Sequence, residues 1–234
     1  MTAADAGGAA RDELAALARD TTLFADWPND DRFGDVDFRD AAVLILFGVL
    51  DALPSDHAAQ DRAVSRDLDV LLLARAETLR SHAGQVAFPG GRVDPGDGGA
   101  VDAALREARE ETGLDPAGVE VLGVLPSIPV PYSGHLVTPV LGWWRAPSPV
   151  GVVDVAESSA VFRTPVADLV NPANRYTTVA RRGDDEWRGP GFVPTIEGQR
   201  HLVWGFTGLV LDRMLDRLGW AEPWDERNEF ELTP

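Results

Sequence analysis

Two short apolar blocks stand out early in the chain, Ala41–Leu50 (AAVLILFGVL) and Leu68–Leu73 (LDVLLL), rich in Val, Ile and Leu. Runs of this length without polar alternation predict strands buried on both faces. The polar interval Pro54–Arg66 between them reads as a loop. Upstream, residues 1–38 are rich in Ala, Asp and Arg, with a short helix predicted from Asp12 to Arg19 and a loop at Trp27–Asp31. This segment is expected to be an extension whose helix packs on the domain. Further strands are predicted at Val119–Val124, Leu136–Trp144 and Ala160–Phe162. The proline-bearing stretch Arg182–Thr195 reads as turns, and an amphipathic helix follows near Trp204–Leu218. The acidic tail from Gly219 carries two prolines and is expected to lie loose. Strands and helices alternate irregularly, without internal repeats. That pattern predicts an α+β chain, an α/β/α sandwich with a central mixed sheet over residues 39–220 and a tail at 221–234.

The most informative pattern is Ala100–Leu114, AVDAALREAREETGL, predicted to be helical to Thr112 and stopped by Gly113. At about 100° per residue, Glu110 and Glu111 fall near −60° and +40° of Glu107, so three carboxylates share one sector. Val101, Ala104, Leu105, Ala108 and Thr112 form an adjoining small apolar flank suited to a sheet. Arg109 points away from the carboxylates. Alone, EAREE reads first as a solvated acidic face. Like charges at these spacings cost helix stability, however, and become sensible if hard divalent cations sit among them. A glycine turn, Phe88-Pro89-Gly90-Gly91, lies just upstream, where the lack of Cβ lets backbone approach a phosphate or offer a carbonyl to a metal.

Composition narrows the choice. A net charge of −17 opposes nucleic-acid binding and docking on anionic membranes. All 21 basic residues are arginine, so a lysine Schiff base is excluded and any phosphate-binding cation must be a guanidinium. With no Cys and four scattered His, thiolate chemistry is excluded and a histidine zinc site is not expected. No apolar signal core opens the sequence, which makes a cytoplasmic location the expectation.

Gly91 followed by Arg106-Glu107-Ala108-Arg109-Glu110-Glu111-Thr112-Gly113-Leu114 resembles the Nudix box, with its second half matched throughout. The first half departs from it: Asp97 stands in place of a glutamate, and eight residues rather than seven separate it from Arg106. Upstream, Leu71-Leu72-Leu73-Ala74-Arg75-Ala76 with Arg80, Gly84 and Phe88-Pro89-Gly90-Gly91 resembles the signature of the coenzyme A pyrophosphatase subgroup, Leu73 replacing a threonine. Two adjoining motifs are far more specific than either alone. The resemblance implies the Nudix fold and hydrolysis of the diphosphate of coenzyme A, with acyl derivatives also in range. It implies Mg²⁺ or Mn²⁺ held by Glu107, Glu110, Glu111 and the Gly91 carbonyl, with Arg106 orienting the box carboxylates. Either a helix glutamate or Glu157 is the implied general base; Glu157 reads equally as a surface loop acid. Arg75 and Arg80 are the candidates for substrate phosphates, against a plain role as rim salt bridges, and Gly90 joins Gly91 at the substrate. His82 and Gln85 fall near this region. Trp143, Trp144, Trp204 and Phe88 offer adenine-stacking surfaces, although aromatics in strand-like runs belong to the core. The resemblance extends to a homodimer, which no feature of the chain itself encodes. The alternatives are another diphosphate such as ADP-ribose or a dinucleotide, and a non-catalytic ligand-sensing Nudix module. Such modules typically lose box glutamates, and all are retained here.

Overall fold

The computed structural model describes residues 3–27, 37–49, 54–76, 84–183 and 185–232. Arg80 and His82 therefore lie outside the described residues. The elements run α1 (Ala3–Leu17), β1 (Arg39–Val49), β2 (Leu68–Arg75), β3 (Val86–Ala87), β4 (Gly90–Arg92), α2 (Ala100–Thr112), β5 (Val119–Val124), β6 (Ile128–Val130), β7 (His135–Trp144), β8 (Ser158–Pro165) and α3 (Val166–Val170). They continue with β9 (Arg175–Arg182), β10 (Asp185–Phe192), β11 (Thr195–Ile196), β12 (Gln199–Arg200), α4 (Gly205–Leu218) and β13 (Glu229–Glu231).

The main sheet is mixed, as expected. β1 runs parallel to β7 over Arg39–Phe47, while β2 pairs antiparallel with both β1 and β8. The two apolar blocks form its centre, and their alternate side chains enter different cores. Ala42, Leu44, Leu46 and Leu71 pack with Ala103, Ala104 and Ala108 of α2. Ile45, Phe47, Leu68, Val70 and Leu72 face the other way, onto Ala10, Leu14 and Leu17 of α1 and Val210, Leu211, Met214 and Leu215 of α4. Fully burying each such Leu or Ile is worth about 1.5–3 kcal/mol. The result is an α+β, three-layer arrangement with helices on both faces. Small residues on α2 let it lie close to the sheet, which brings its acidic flank down to the strand ends. No helix among the described residues is long and apolar enough to cross a membrane.

One feature of the sheet positions the site. β1 and β2 are paired only at Phe47–Val49 with Leu68–Val70 and then splay apart. The glycine turn fills the wedge: Val86–Ala87 pair with Ala74 and Leu73 of β2, and Gly90–Arg92 pair with Val43–Ala41 of β1.

Two expectations are corrected. The segment after Gly219 is not loose, because Trp220 is 1% exposed and donates from Nε1 to Glu13 at 2.6 Å. Farther on, β13 adds in parallel to β9. The stretch read as turns is a hairpin, with β9 and β10 paired over eight residue pairs from Arg175–Phe192 to Arg182–Asp185.

A buried acid on β2 makes a stability prediction. Asp69 is 4% exposed, and its Oδ1 has no hydrogen-bond partner among the described residues. Burial pushes its pKa up to about 7 against the pull of Arg163, with Asp67 and Asp168 adding to the rise. The folded chain thus holds this proton more tightly than the unfolded one. Its contribution is fully present below the unfolded carboxylate pKa and is lost as pH rises through about 7. Asp69→Asn is expected to recover roughly 2 kcal/mol of the stability that the native chain loses between pH 5 and pH 8. Urea denaturation at both pH values checks this, and an undiminished pH slope in the variant would rule it out.

Candidate active site

Helix α2 begins and ends where the sequence places it. Gly113 closes it in the left-handed conformation, φ 73°, donating its N–H to the Arg109 carbonyl. The helix lies beside β4, and the geometry of the glutamates follows from that contact. Glu107 rests on Gly91 so closely that a Cβ there would stand 2.5 Å from its carboxylate carbon. Glu111 reaches the glycine turn, where Oε2 accepts a 2.8 Å hydrogen bond from the Gly90 N–H. Glu110 lies on the rim, its side chain 59% exposed.

Arg106 ties the cluster together. Nη1 donates to Glu107 Oε1 at 2.9 Å and to Glu110 Oε2 at 3.1 Å. Nε and Nη2 each donate to Asp97 at 3.0 Å, a two-pronged contact, and Nη2 also reaches the Arg92 carbonyl at 3.0 Å. Asp97 is the residue the sequence left without a role. Its carboxylate is 6% exposed, and the Arg106 hydrogen bonds, followed by the Asp94 N–H, hold it below the usual carboxylate range. A side chain one methylene shorter than glutamate still reaches the guanidinium because Asp94–Asp97 forms a tight turn. In that turn the Asp97 N–H donates to the Asp94 carbonyl at 2.9 Å, and the Asp94 N–H donates to Asp97 Oδ2 at 2.8 Å.

The electrostatics single out Glu111. Burial pushes it up to about 7, and the nearby Glu107 and Glu157 carboxylates add to this. The Gly90 N–H and the Arg75 guanidinium oppose the rise. Glu107 is also raised, by burial first and then by Glu110 and Asp94, with Arg106 opposing. Two carboxylates are thus held together with too little positive charge to keep both ionised easily.

The predicted site residues therefore divide. Glu107, Glu111, Gly90, Gly91, Arg75 and Glu157 gather in one neighbourhood, with Arg106 behind them and Glu110 at the edge. Glu157 is exposed on the turn before β8, anchored by its carbonyl, which accepts from the Ala76 N–H at 2.9 Å. Arg75 Nε is buried and has no hydrogen-bond partner among the described residues. Phe88 and Trp144 are core residues, each 3% exposed, whereas Trp204 lines a cavity.

The register corrects one assignment. Leu44 donates to the Pro89 carbonyl and Val93 to the Asp40 carbonyl. By antiparallel alternation Ala42 and Gly91 are then a hydrogen-bonded pair, so the Gly91 carbonyl is spent in the ladder. Gly90 is in the non-bonded position, and its backbone groups face the glutamates, as its bond to Glu111 shows. The carbonyl available to an ion is that of Gly90.

The donor set fits a hard divalent cation. Among the described residues no three acidic or imidazole groups already converge at ligating distance. Each helix glutamate nevertheless keeps one oxygen free of protein hydrogen bonds among those residues, since Arg106 and Gly90 each engage only one. Oxygen donors, excess negative charge and a free carbonyl suit Mg²⁺ or Mn²⁺ rather than softer metals.

A model of the NUDIX domain matches residues 56–141. NudL of Escherichia coli K12, named as an uncharacterized Nudix hydrolase, is 40% identical over 152 residues, covering 64% of this chain and 75% of NudL. Among solved structures, a Caenorhabditis elegans Ap4A hydrolase binary complex aligns with 56% of this chain and 83% of its own, at a TM-score of 0.41 and 20% identity. The NUDIX domain of Shewanella oneidensis NrtR, solved with ADP ribose, aligns with 64% of this chain and 85% of its own, at a TM-score of 0.41 and 19% identity.

Proposed function

Because the chain belongs to the Nudix hydrolase family, and so acts on diphosphate compounds, we propose that its substrate is coenzyme A, split into 3′,5′-ADP and 4′-phosphopantetheine with Mg²⁺ or Mn²⁺. The observation that carries this reading is the meeting of two sequence motifs at one place. Glu107 and Glu111 of the box and Arg75 and Gly90 of the upstream signature meet around the Gly90–Glu111 hydrogen bond.

When bound, the cation neutralises phosphate oxygens and lowers the pKa of a coordinated water. Glu107, Glu110, Glu111 and the Gly90 carbonyl would hold it. The remaining work belongs to the chain. Arg75 presents a buried, unsatisfied Nε and a positive field beside Glu111, which suits a phosphate oxygen better than a rim salt bridge. Arg106 fixes the rotamers of Glu107 and Glu110 without facing substrate. The general base is Glu111 or Glu157. Glu111, pushed up to about 7 by burial, meets the condition for accepting a proton at pH 7. Glu157 stays beside it as an exposed acid whose charge acts on Glu111.

Coenzyme A, acyl-coenzyme A, ADP-ribose and dinucleotides incubated with the protein and Mn²⁺ or Mg²⁺ separate the readings, because each releases a distinct product pair by mass spectrometry. The expected result is 3′,5′-ADP from coenzyme A at least tenfold faster than turnover of the other diphosphates, and none after chelation. Preference for ADP-ribose would replace the substrate. Inertness toward all of them would favour a ligand-sensing module.

A further inference from the structure

A cavity of about 1400 Å³ lies on the face of the main sheet opposite α2, walled by β2, β3 and β8 on one side and by β9, β12 and β13 on the other. No residue of the glutamate cluster lines it. The two nevertheless meet at the end of β2, where the pairing with β8 shifts register between Ala74 and Arg75. Ala74 lines the cavity, and the next residue, Arg75, acts on Glu111. A diphosphate held at Arg75 would thus have one of its two substituents at the cavity mouth.

The wall has a definite chemistry. Arg181, Arg200 and Glu231 give it two formal positive charges against one negative, in a chain of net charge −17. Arg181 is neutralised by Glu186, Glu229 and Glu231. Arg200 has no carboxylate within ion-pair reach among the described residues. The hydrogen bond it makes there is to the Tyr176 hydroxyl at 3.3 Å, which leaves most of its fork open. Around it stand flat rings. Trp204 is set edge-on against Trp187, and His201 lies 4.6 Å from the Phe162 ring. Burial holds the His201 pKa below its ordinary value, so near neutral pH it offers a ring face and not a charge.

An open guanidinium beside aromatic faces, in a protein that otherwise repels anions, suits a base carrying its own phosphate. We propose that this cavity receives the nucleoside half of the substrate, with Arg200 reading a phosphate monoester on the ribose, separate from the diphosphate being cut. The assignment rests on the coenzyme A reading for its substrate. It adds that the 3′-phosphate is selected for, and by which residue.

The test compares coenzyme A with 3′-dephospho-coenzyme A, and binding of 3′,5′-ADP with 5′-AMP by calorimetry, in the native chain, Arg200→Gln and Arg200→Lys. The native chain should prefer coenzyme A through a lower KM, and bind 3′,5′-ADP more tightly than 5′-AMP. Arg200→Gln should reduce both preferences about tenfold or more, with kcat for coenzyme A little changed, and Arg200→Lys should restore part of them. Native-like thermal unfolding of each variant assigns the change to recognition. If no diphosphate half-product forms from coenzyme A but 3′,5′-ADP binding still depends on Arg200, the substrate reading fails and the cavity assignment stands. Coenzyme A turnover with preferences indifferent to Arg200 does the reverse. Loss confined to long acyl derivatives would give the cavity to the other half of the substrate and overturn the proposal.

Discussion

Glu111→Gln is expected to lower kcat by at least about 10³, an activation penalty of roughly 4 kcal/mol, while the fold is retained or strengthened. The reasons are local. Glutamine keeps the length of the side chain and a carbonyl oxygen able to accept from the Gly90 N–H, so the tie between α2 and the glycine turn survives. What disappears is the negative charge, and with it the proposed proton acceptor and cation ligand. That charge is costly in the metal-free protein, where burial and the neighbouring Glu107 and Glu157 push the Glu111 pKa up to about 7. A carboxyl raised in the folded state stabilises most below its unfolded pKa and loses that contribution as pH rises through about 7. The variant should therefore melt higher than the native chain at pH 8 without metal, and close to it at pH 4. It should also lose the stabilisation that added Mn²⁺ gives the native protein. Near-native turnover in a folded Glu111→Gln protein would remove this residue from the chemistry, and unchanged stabilisation by Mn²⁺ would remove it from the ligands.

The helix, its boundaries and its three glutamates were legible because they depend on local spacing. The 3.6-residue period sets one flank of small residues against the sheet, and a glycine in the left-handed conformation ends the run. The central strands were legible for the same reason, since LILF and VLLL are buried on both sides. Features that depend on partners distant in sequence were not. β10 contains Gly189, Pro190 and Gly191, which locally read as turns. It is a strand because it pairs with β9 at the edge of its sheet, where a residue without an N–H costs little. The tail looked loose from its charge and prolines, yet Trp220 fills a gap against Phe47 at 6.3 Å between ring centres. Nothing in WAEPWDERNEF states that partner. The glycine carbonyl is the sharpest case. Gly90 and Gly91 are equivalent by composition, and only the pairing of Ala42 with Gly91 decides whose carbonyl is turned toward the glutamates.

Asp97 failed to show itself for a related reason, and its position leads to the second large effect. Replacing Arg106 is expected to reduce kcat/KM about 100-fold and to raise the Mg²⁺ or Mn²⁺ concentration needed for half-maximal rate about tenfold or more, because its guanidinium orients the carboxylates proposed to hold the ion. Its guanidinium is surrounded by carboxylates, with Asp97, Glu107 and Glu110 all within 3.1 Å and Asp94 at 3.7 Å. The planar fork sets Asp97 on one side and the two helix glutamates on the other, so a single group fixes the turn and those glutamates together. Arg106→Lys keeps the charge but has no fork, and it should show most of the defect. Arg106→Gln removes the charge as well and should also unfold more easily, because Asp97, Glu107 and Glu110 are left without their shared cation. Asp97→Asn should reproduce the raised metal requirement from the other side. Adding Arg106→Lys to it should cost much less than the two separate losses combined, since both act through one contact. Steady-state rates against metal concentration, taken for the three single variants and the double, are sufficient to decide. Losses that simply multiply, or a metal requirement unchanged in Arg106→Lys, would mean that the box arginine does not position the glutamates.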